Sequence, residues 1–198
     1  MSPNQSTNAA LNGIRVIDFS RIVADPHCTM CLADFGADVI KVEDTGKGDD
    51  LRSHKPPHIK CDSPYFLSLN RNKRSISINM AEPDGQAVIH DLLATADVLV
   101  ENFRTGVMEK YGVGYEDIKA RYPRLVYCSI SGYGREGSQA RRAAYDPVVQ
   151  AESGQMATNG SMESGPMRTG LAVTDTQTGQ YAVQAILAAL FARERSER

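Results

Sequence analysis

One aspartate is a candidate catalytic residue. Asp175 lies at the junction between a polar loop and an apolar helix, in the stretch Val-Thr-Asp-Thr (173–176). An aspartate at a helix start commonly caps the helix by accepting a backbone N–H bond. The same position keeps a carboxylate ionised beside the positive helix end, where it can attack an activated acyl group. The local sequence leaves both interpretations open, and no Ser-His-Asp or paired-carboxylate motif competes for the catalytic role.

A glycine-rich motif, GYGREG (132–137), follows a predicted strand with the G-x-G-x-x-G spacing of a dinucleotide-binding turn. Polar and basic residues (138–142) come next instead of an apolar helix, and no ribose-binding acid follows at a suitable distance. We therefore interpret the motif as a turn that lets the backbone approach a neighbouring group closely.

A cysteine pair has the spacing of redox and metal sites. Cys28 and Cys31 follow His27, but the sequence contains no second C-x-x-C and no histidine pair at ligand spacing that could complete a metal site. They share a predicted helix with apolar residues such as Leu32, so we expect them to pack as small apolar groups. We predict no metal site.

Basic residues cluster around the first two predicted β–α units. A charge run of this kind is usually a solvated face, but at the edge of a parallel sheet it can also form a phosphate-binding rim. The cluster comprises Arg52, Lys55, Lys60, Arg71, Lys73 and Arg74.

The composition is that of an ordinary soluble protein. The chain has 198 residues, of which 41% are hydrophobic and 23% charged, and its net charge of -2 argues against a nucleic-acid or anionic membrane partner. Its 4 cysteines are too few and scattered for a secreted disulfide framework. Without a leader-like or membrane-spanning stretch, we expect a cytoplasmic protein with a disordered tail over residues 1–10.

The elements that must position these residues alternate between strands and helices. Short β-branched runs predict strands at 14–19, 38–43, 75–79, 98–101 and 125–130. Helix-like runs lie between them at 26–35, 83–95, 106–111 and 115–121. This alternation predicts an α/β protein with an open parallel Rossmann-like sheet and flanking helices. Residues 153–170 are typical of a long loop, and the apolar helix that follows at 176–193 should be centrally buried.

Taken together, six segments resemble the family III CoA transferases, which include formyl-CoA, carnitine-CoA and succinyl-CoA:dicarboxylate CoA transferases and α-methylacyl-CoA racemase. The segments are LNGIRVIDFSRIVADPHCTMCLADFGADVIKVED, YFLSLNRNKRSISIN, ADVLVENFRTG, GYGREG, AYDPVVQAESG and LAVTDTQTGQYAVQAILAALFARE. The resemblance implies a CoA-binding α/β domain over residues 11–198. It also implies acyl-CoA and a small carboxylic acid as substrates, with no permanently bound cofactor.

The same resemblance assigns roles to residues. Asp175 corresponds to the nucleophile that forms a mixed anhydride and then an aspartyl-CoA thioester. CoA contacts carried over by alignment are Ile22, Val23, Ala24, Ile78, Asn102, Phe103, Lys110 and Tyr145, with Arg71, Lys73 and Arg74 as phosphate candidates. Tyr145 stands where the racemases have histidine, which favours a transferase because α-proton exchange needs an acid/base pair.

The chain also departs from the family pattern. Asp25 stands where relatives usually have glycine, Ser138 replaces a proline, and Ala143 replaces a lysine found in some relatives. Family chains are about twice as long, carry a second, smaller domain and form interlocked dimers. We therefore expect the N-terminal portion of a CoA transferase without its small domain, and a homodimer for the full-length parent. The alternative is an inactive or partner-dependent CoA-binding fragment.

Overall fold

The computed structural model describes residues 9–54, 57, 59 and 62–196. Most of the expected N-terminal tail, together with Lys55 and Lys60 of the basic cluster, lies outside the described residues. From Ala9 onward the chain is tied to the body of the domain, because the Leu11 amide donates to the Phe35 carbonyl over 3.0 Å.

A parallel sheet of five strands forms the centre of the domain, in the order β3-β2-β1-β4-β5. The strands are β1 (Arg15–Asp18), β2 (Asp38–Glu43), β3 (Arg74–Ser77), β4 (Val98–Glu101) and β5 (Val126–Ser129). They confirm the predicted α/β class and all five predicted strands. The chain builds outward from β1 to β3 and then resumes on the other side with β4, so the strand order reverses between β1 and β4.

Helices cover both faces of the sheet. On one face, α1 (Ala24–Asp34) and α8 (Val173–Arg195) pack against β-strand residues such as Val16 and Val98. On the other face lie α3 (Pro83–Leu93), α4 (Val107–Lys110) and α5 (Tyr115–Ile118), which cover residues such as Ile17 and Leu99. Neighbouring residues of one strand thus enter different cores, as the two-residue period of a strand requires.

Five short elements were not predicted. α2 (Pro64–Leu69) and α6 (Asp146–Glu152) are short helices that each carry proline in the first turn. The expected loop at 153–170 contains α7 (Gln155–Thr158) and a small antiparallel ribbon of β6 (Gly160–Ser161) and β7 (Gly165–Pro166).

The expectation of a centrally buried last helix is wrong. One side of α8 packs on α1, and Gly179 permits the close approach, since a Cβ at this position would stand 2.4 Å from the Ala24 carbonyl oxygen. The other side leaves Tyr181 70% and Phe191 64% exposed. Within the described part of the chain, no helix combines the length and the apolar character needed to cross a bilayer.

Candidate active site

A cavity of about 370 Å³ opens at the carboxyl ends of β1, β4 and β5. Its walls come from the segments that follow these strands, from residues 140–145, and from the first turns of α1 and α8. This is where ligands bind in open α/β sheets, beside the point at which the strand order reverses.

Seven of the twelve predicted site residues line the cavity, namely Asp175, Ile22, Val23, Ala24, Asn102, Phe103 and Tyr145. Asn102 couples two of the walls, because its side chain accepts from the Arg21 amide over 3.0 Å and donates to the Arg21 carbonyl over 2.7 Å. Ile22 has a φ of 69°, a strained conformation for a β-branched residue. Strain of this kind concentrates at functional sites.

Asp175 lies in the first turn of α8, partly buried at the wall of the cavity. It does not cap the helix, so the capping interpretation is wrong. The cap is supplied by Asp146, whose carboxylate accepts from the Thr174 amide over 2.8 Å and from the Asp175 amide over 3.3 Å. Burial, with a smaller contribution from the Asp146 charge, raises the pKa of Asp175 to about 6.

A carboxylate with this pKa is mostly ionised at neutral pH and more basic than an ordinary aspartate, which suits a nucleophile. None of the described residues that line the cavity is a histidine or a cysteine. The described residues also include no cluster of three or more His, Cys, Asp or Glu side chains able to hold a metal ion. The Asp175 carboxylate is thus the candidate nucleophile at this wall of the cavity.

Arginines supply the positive charge of the cavity wall: Arg21, Arg104, Arg135 and Arg142. Arg135 is held by Glu101 over 2.6 Å, and Arg142 pairs with Glu152 over 2.5 Å. The guanidinium of Arg21 lies 4.8 Å from the centre of the Phe103 ring. We did not predict these arginines, although Arg104 directly follows the Asn102-Phe103 pair that the resemblance selected.

The remaining five predicted site residues lie outside this cavity. Arg71 pairs with Asp34, and Arg74 pairs with Asp38 over 2.7 Å. Lys73 is buried with its ammonium group 3.0 Å from Asp18. Ile78 is buried in the core, and Lys110 lies near the Tyr111 ring. Their roles as CoA contacts stay predictions.

The structure fits a close-approach turn for the glycine motif and a packing role for the cysteine pair. A Cβ at Gly132 would stand 2.0 Å from the Cβ of Ala144, so this glycine permits a close approach of two cavity walls. No helix follows the motif until α6 begins at Asp146. Cys28 is fully buried in the core, and Cys31 packs against that core. Burial raises the pKa of both thiols, as expected for packing groups.

Asp25 is an unusual feature of the cavity floor. It is fully buried, and neither of its carboxylate oxygens has a hydrogen-bond partner among the described residues. Burial, reinforced by the charges of Asp18 and Glu101 and only partly offset by its own backbone amide and the Asn102 side chain, raises its pKa well above the usual range. The floor of the cavity therefore holds an acid that the fold leaves unsatisfied.

The fold and the cavity define an α/β protein with a partly buried carboxylate of raised pKa at the carboxyl edge of a parallel sheet. The chain belongs to CoA-transferase family III, whose family model matches residues 11–198. It is therefore related to enzymes, as the resemblance implied.

Relatives of known activity support this assignment. The chain is 47% identical over 186 residues to succinyl-CoA:glutarate CoA-transferase of Mus musculus, covering 94% of this chain and 43% of that protein. It is 42% identical to formyl-CoA:oxalate CoA-transferase of Rhodopseudomonas palustris (strain TIE-1), covering 96% of this chain and 44% of that protein. The chain thus spans less than half the length of these relatives.

A solved structure shares the architecture. A CAIB/BAIF family protein from Brucella suis superimposes with a TM-score of 0.91 at 42% identity, covering 95% of this chain and 50% of the other. The described fold is therefore that of the corresponding half of a family member.

Proposed function

We propose that the chain forms the CoA-binding part of an enzyme that transfers CoA from an acyl-CoA to a free carboxylic acid, with Asp175 as the nucleophile. The observation that carries the proposal is the position of Asp175, in the first turn of α8 at the wall of the cavity. The names of the relatives favour short dicarboxylic acids, such as succinate, glutarate or oxalate, among the substrates.

The proposed reaction needs only carboxylate and thiolate nucleophiles. An Asp175 oxygen attacks the thioester carbonyl and the C–S bond breaks. CoA departs as its thiolate, and Asp175 and the donor acid are joined in a mixed anhydride. The thiolate then attacks the aspartyl carbonyl, releasing the donor acid and forming an aspartyl-CoA thioester. The acceptor carboxylate displaces the thiolate to give a second anhydride. The thiolate finally attacks the acceptor carbonyl and regenerates Asp175. No step requires a general base, in keeping with the absence of histidine among the described lining residues.

CoA binding must hold a weak nucleophile against the thioester. We propose that the loop at 22–24 and the side chains of Asn102, Phe103 and Tyr145 contact CoA, since they line the same cavity as Asp175. The Arg21 and Arg104 guanidinium groups suit its phosphates, because arginine binds phosphate through several parallel donors. Contacts to the remote nucleotide would supply binding energy that orients the reacting carbonyl.

The central experiment compares the natural chain with its Asp175→Asn variant, using succinyl-CoA as donor and isotope-labelled glutarate as acceptor. We expect transfer by the natural chain and a loss of at least about a thousand-fold in the variant. Intact-protein mass spectrometry should detect a CoA adduct on the natural chain alone. The matched control is Asp91→Asn, which removes a carboxylate from the exposed surface of α3. Unchanged transfer by Asp175→Asn would refute the proposal.

A second candidate is a CoA-binding fragment that needs a partner for activity. It is favoured by the exposed Tyr181 and Phe191 rings on α8. CoA binding by calorimetry without any transfer would support this candidate, and transfer by the isolated chain would exclude it. The racemase alternative predicts deuterium uptake at the α-carbon of a 2-methylacyl-CoA in deuterated water. A homodimeric parent, a cytoplasmic location and the lack of nucleic-acid and membrane partners stay predictions.

A further inference from the structure

The carboxylate of Asp146 joins α6 to the start of α8. Asp146 is 5% exposed, and its side chain accepts four hydrogen bonds and donates none, which is the pattern of an ionised carboxylate. Three of the donors belong to α8: the Thr174 amide, the Thr174 hydroxyl and the Asp175 amide. The first turn of α8 is thus tied to a side chain from another element.

Gln150, one turn further along α6, holds the segment that leads into α8. It is fully buried, donates to Asp146, and accepts from the Thr169 amide over 2.9 Å. Its amide group also donates to the Leu171 carbonyl over 3.4 Å. Two side chains of α6 therefore fix the path of the chain on both sides of the point where α8 begins.

We propose that Asp146 is a positioning residue for Asp175, which aims the nucleophile into the cavity and places a carboxylate beside it. The inference rests on the proposed function, because it concerns how the nucleophile of that reaction is prepared. Asp146 itself need not contact substrate, since its carboxylate oxygens are occupied by donors from α6 and α8.

Asp146 is one of several charged or titratable groups around Asp175. Tyr65 faces Asp175 from α2, where the Asp175 and Asp146 charges add to the effect of burial in raising the tyrosine's pKa. Four arginines, Arg21, Arg104, Arg135 and Arg142, line the same cavity, and two of them are paired with Glu101 and Glu152. Burial and the neighbouring carboxylate oppose ionisation of Asp175 and make its oxygen more basic. Asp175 is then still mostly ionised at neutral pH and more basic than an ordinary aspartate.

A neutral replacement separates the charge of Asp146 from its capping bonds. Asp146→Asn keeps a side-chain oxygen that accepts from the Thr174 and Asp175 amides, but it removes the negative charge and replaces the oxygen that accepts from Gln150 by an NH2 group. A residue that merely caps the helix would tolerate this change without altering Asp175. A residue that also tunes the nucleophile would not.

The test is an NMR titration of the Asp175 carboxyl carbon in the whole chain without substrate, with Asp175→Asn used to assign the signal. We expect the pKa of Asp175 to fall toward its ordinary value in Asp146→Asn, by less than half of its rise above that value, because a like charge has been removed while burial remains. Asp146→Glu should keep it raised, and the surface control Asp91→Asn should leave it unchanged. A folded Asp146→Asn chain with an unaltered Asp175 titration would overturn the inference.

If Asp146→Asn does not fold, Asp146→Ser supplies the same test, because serine caps helices without carrying charge. Failure of both neutral variants to fold would also overturn the inference, since Asp146 would then be a requirement of the fold.

The titration needs no enzymatic turnover, so its outcome is separate from that of the proposed function. Where transfer is measured, its acid limb should lie near pH 6 in the natural chain and move to lower pH in Asp146→Asn. A normal titration shift without Asp175-dependent transfer would refute the function and leave the positioning role intact.

Discussion

Replacing Asp25 by alanine should stabilise the protein. The natural carboxyl group is fully buried, and neither oxygen finds a hydrogen-bond donor among the described residues. A buried polar group left unsatisfied costs about 1–3 kcal/mol. Alanine removes that cost and suits the helix, in which position 25 lies within the first turn of α1. For a chain of this size, each kcal/mol corresponds to roughly 2–4 °C in Tm.

The gain should also depend on pH, with a sign fixed by the direction of the pKa shift. Burial and the charges of Asp18 and Glu101 raise the pKa of Asp25 in the folded chain. Between the unfolded and folded pKa values, the folded chain binds more protons than the unfolded chain, so its stability falls as the pH rises. The advantage of Asp25→Ala should therefore be smaller near pH 4 than near pH 7.

Urea unfolding followed by circular dichroism at several pH values measures this difference directly. Asp25→Asn is the matched comparison, because it removes the titrating group but leaves a buried amide without partners. It should lose the pH-dependent part of the effect and keep much of the pH-independent cost. The reasoning would be refuted if the Asp25→Ala chain were less stable than the natural chain at pH 7. It would also be refuted if its gain in the free energy of unfolding were the same at every pH.

Two further predictions concern a buried ion pair and a helix contact. Lys73→Met should destabilise the chain by about 3 kcal/mol, because the buried Asp18 carboxylate loses its ion-pair partner and keeps only Lys41 and its hydrogen bonds as compensation. Arg74→Gln at an exposed pair should cost at most about 1 kcal/mol. Equal urea midpoints for the two variants would contradict this. Gly179→Ala should lower the Tm despite alanine's higher helix propensity, since the added Cβ would stand 2.4 Å from the Ala24 carbonyl oxygen. A raised Tm would show that α1 and α8 are not held at this distance.

The parallel sheet could be predicted because its strands are short apolar runs separated by helical segments. The helices α2 and α6 were missed because each is at most two turns long and lacks a clear apolar period. Their signals were present as Ser63 before Pro64, and as Asp146 before Pro147. Giving those prolines more weight would have found both helices.

The site was only partly predictable for a different reason. Asp175 was found through resemblance, but its cap comes from Asp146, which lies 29 residues earlier and meets it only in the folded chain. The basic residues at 71–74 formed a visible charge run, yet Lys73 is buried against Asp18, 55 residues away. No local pattern encodes which acid a lysine will meet, because the register of β1 against β2 and that of β2 against β3 decide it together.

The contact between α1 and α8 also governs when the cavity can exist during synthesis. The wall that begins at Arg21 emerges from the ribosome early, whereas Asp175 and Thr178 follow after the whole sheet has been made. Until α8 docks through Gly179, the apolar side of α1 and the future cavity face solvent or other proteins. A nascent chain that stalls before residue 173 would thus carry the complete five-stranded sheet and an uncovered core without Asp175, and it would be a natural target for chaperones.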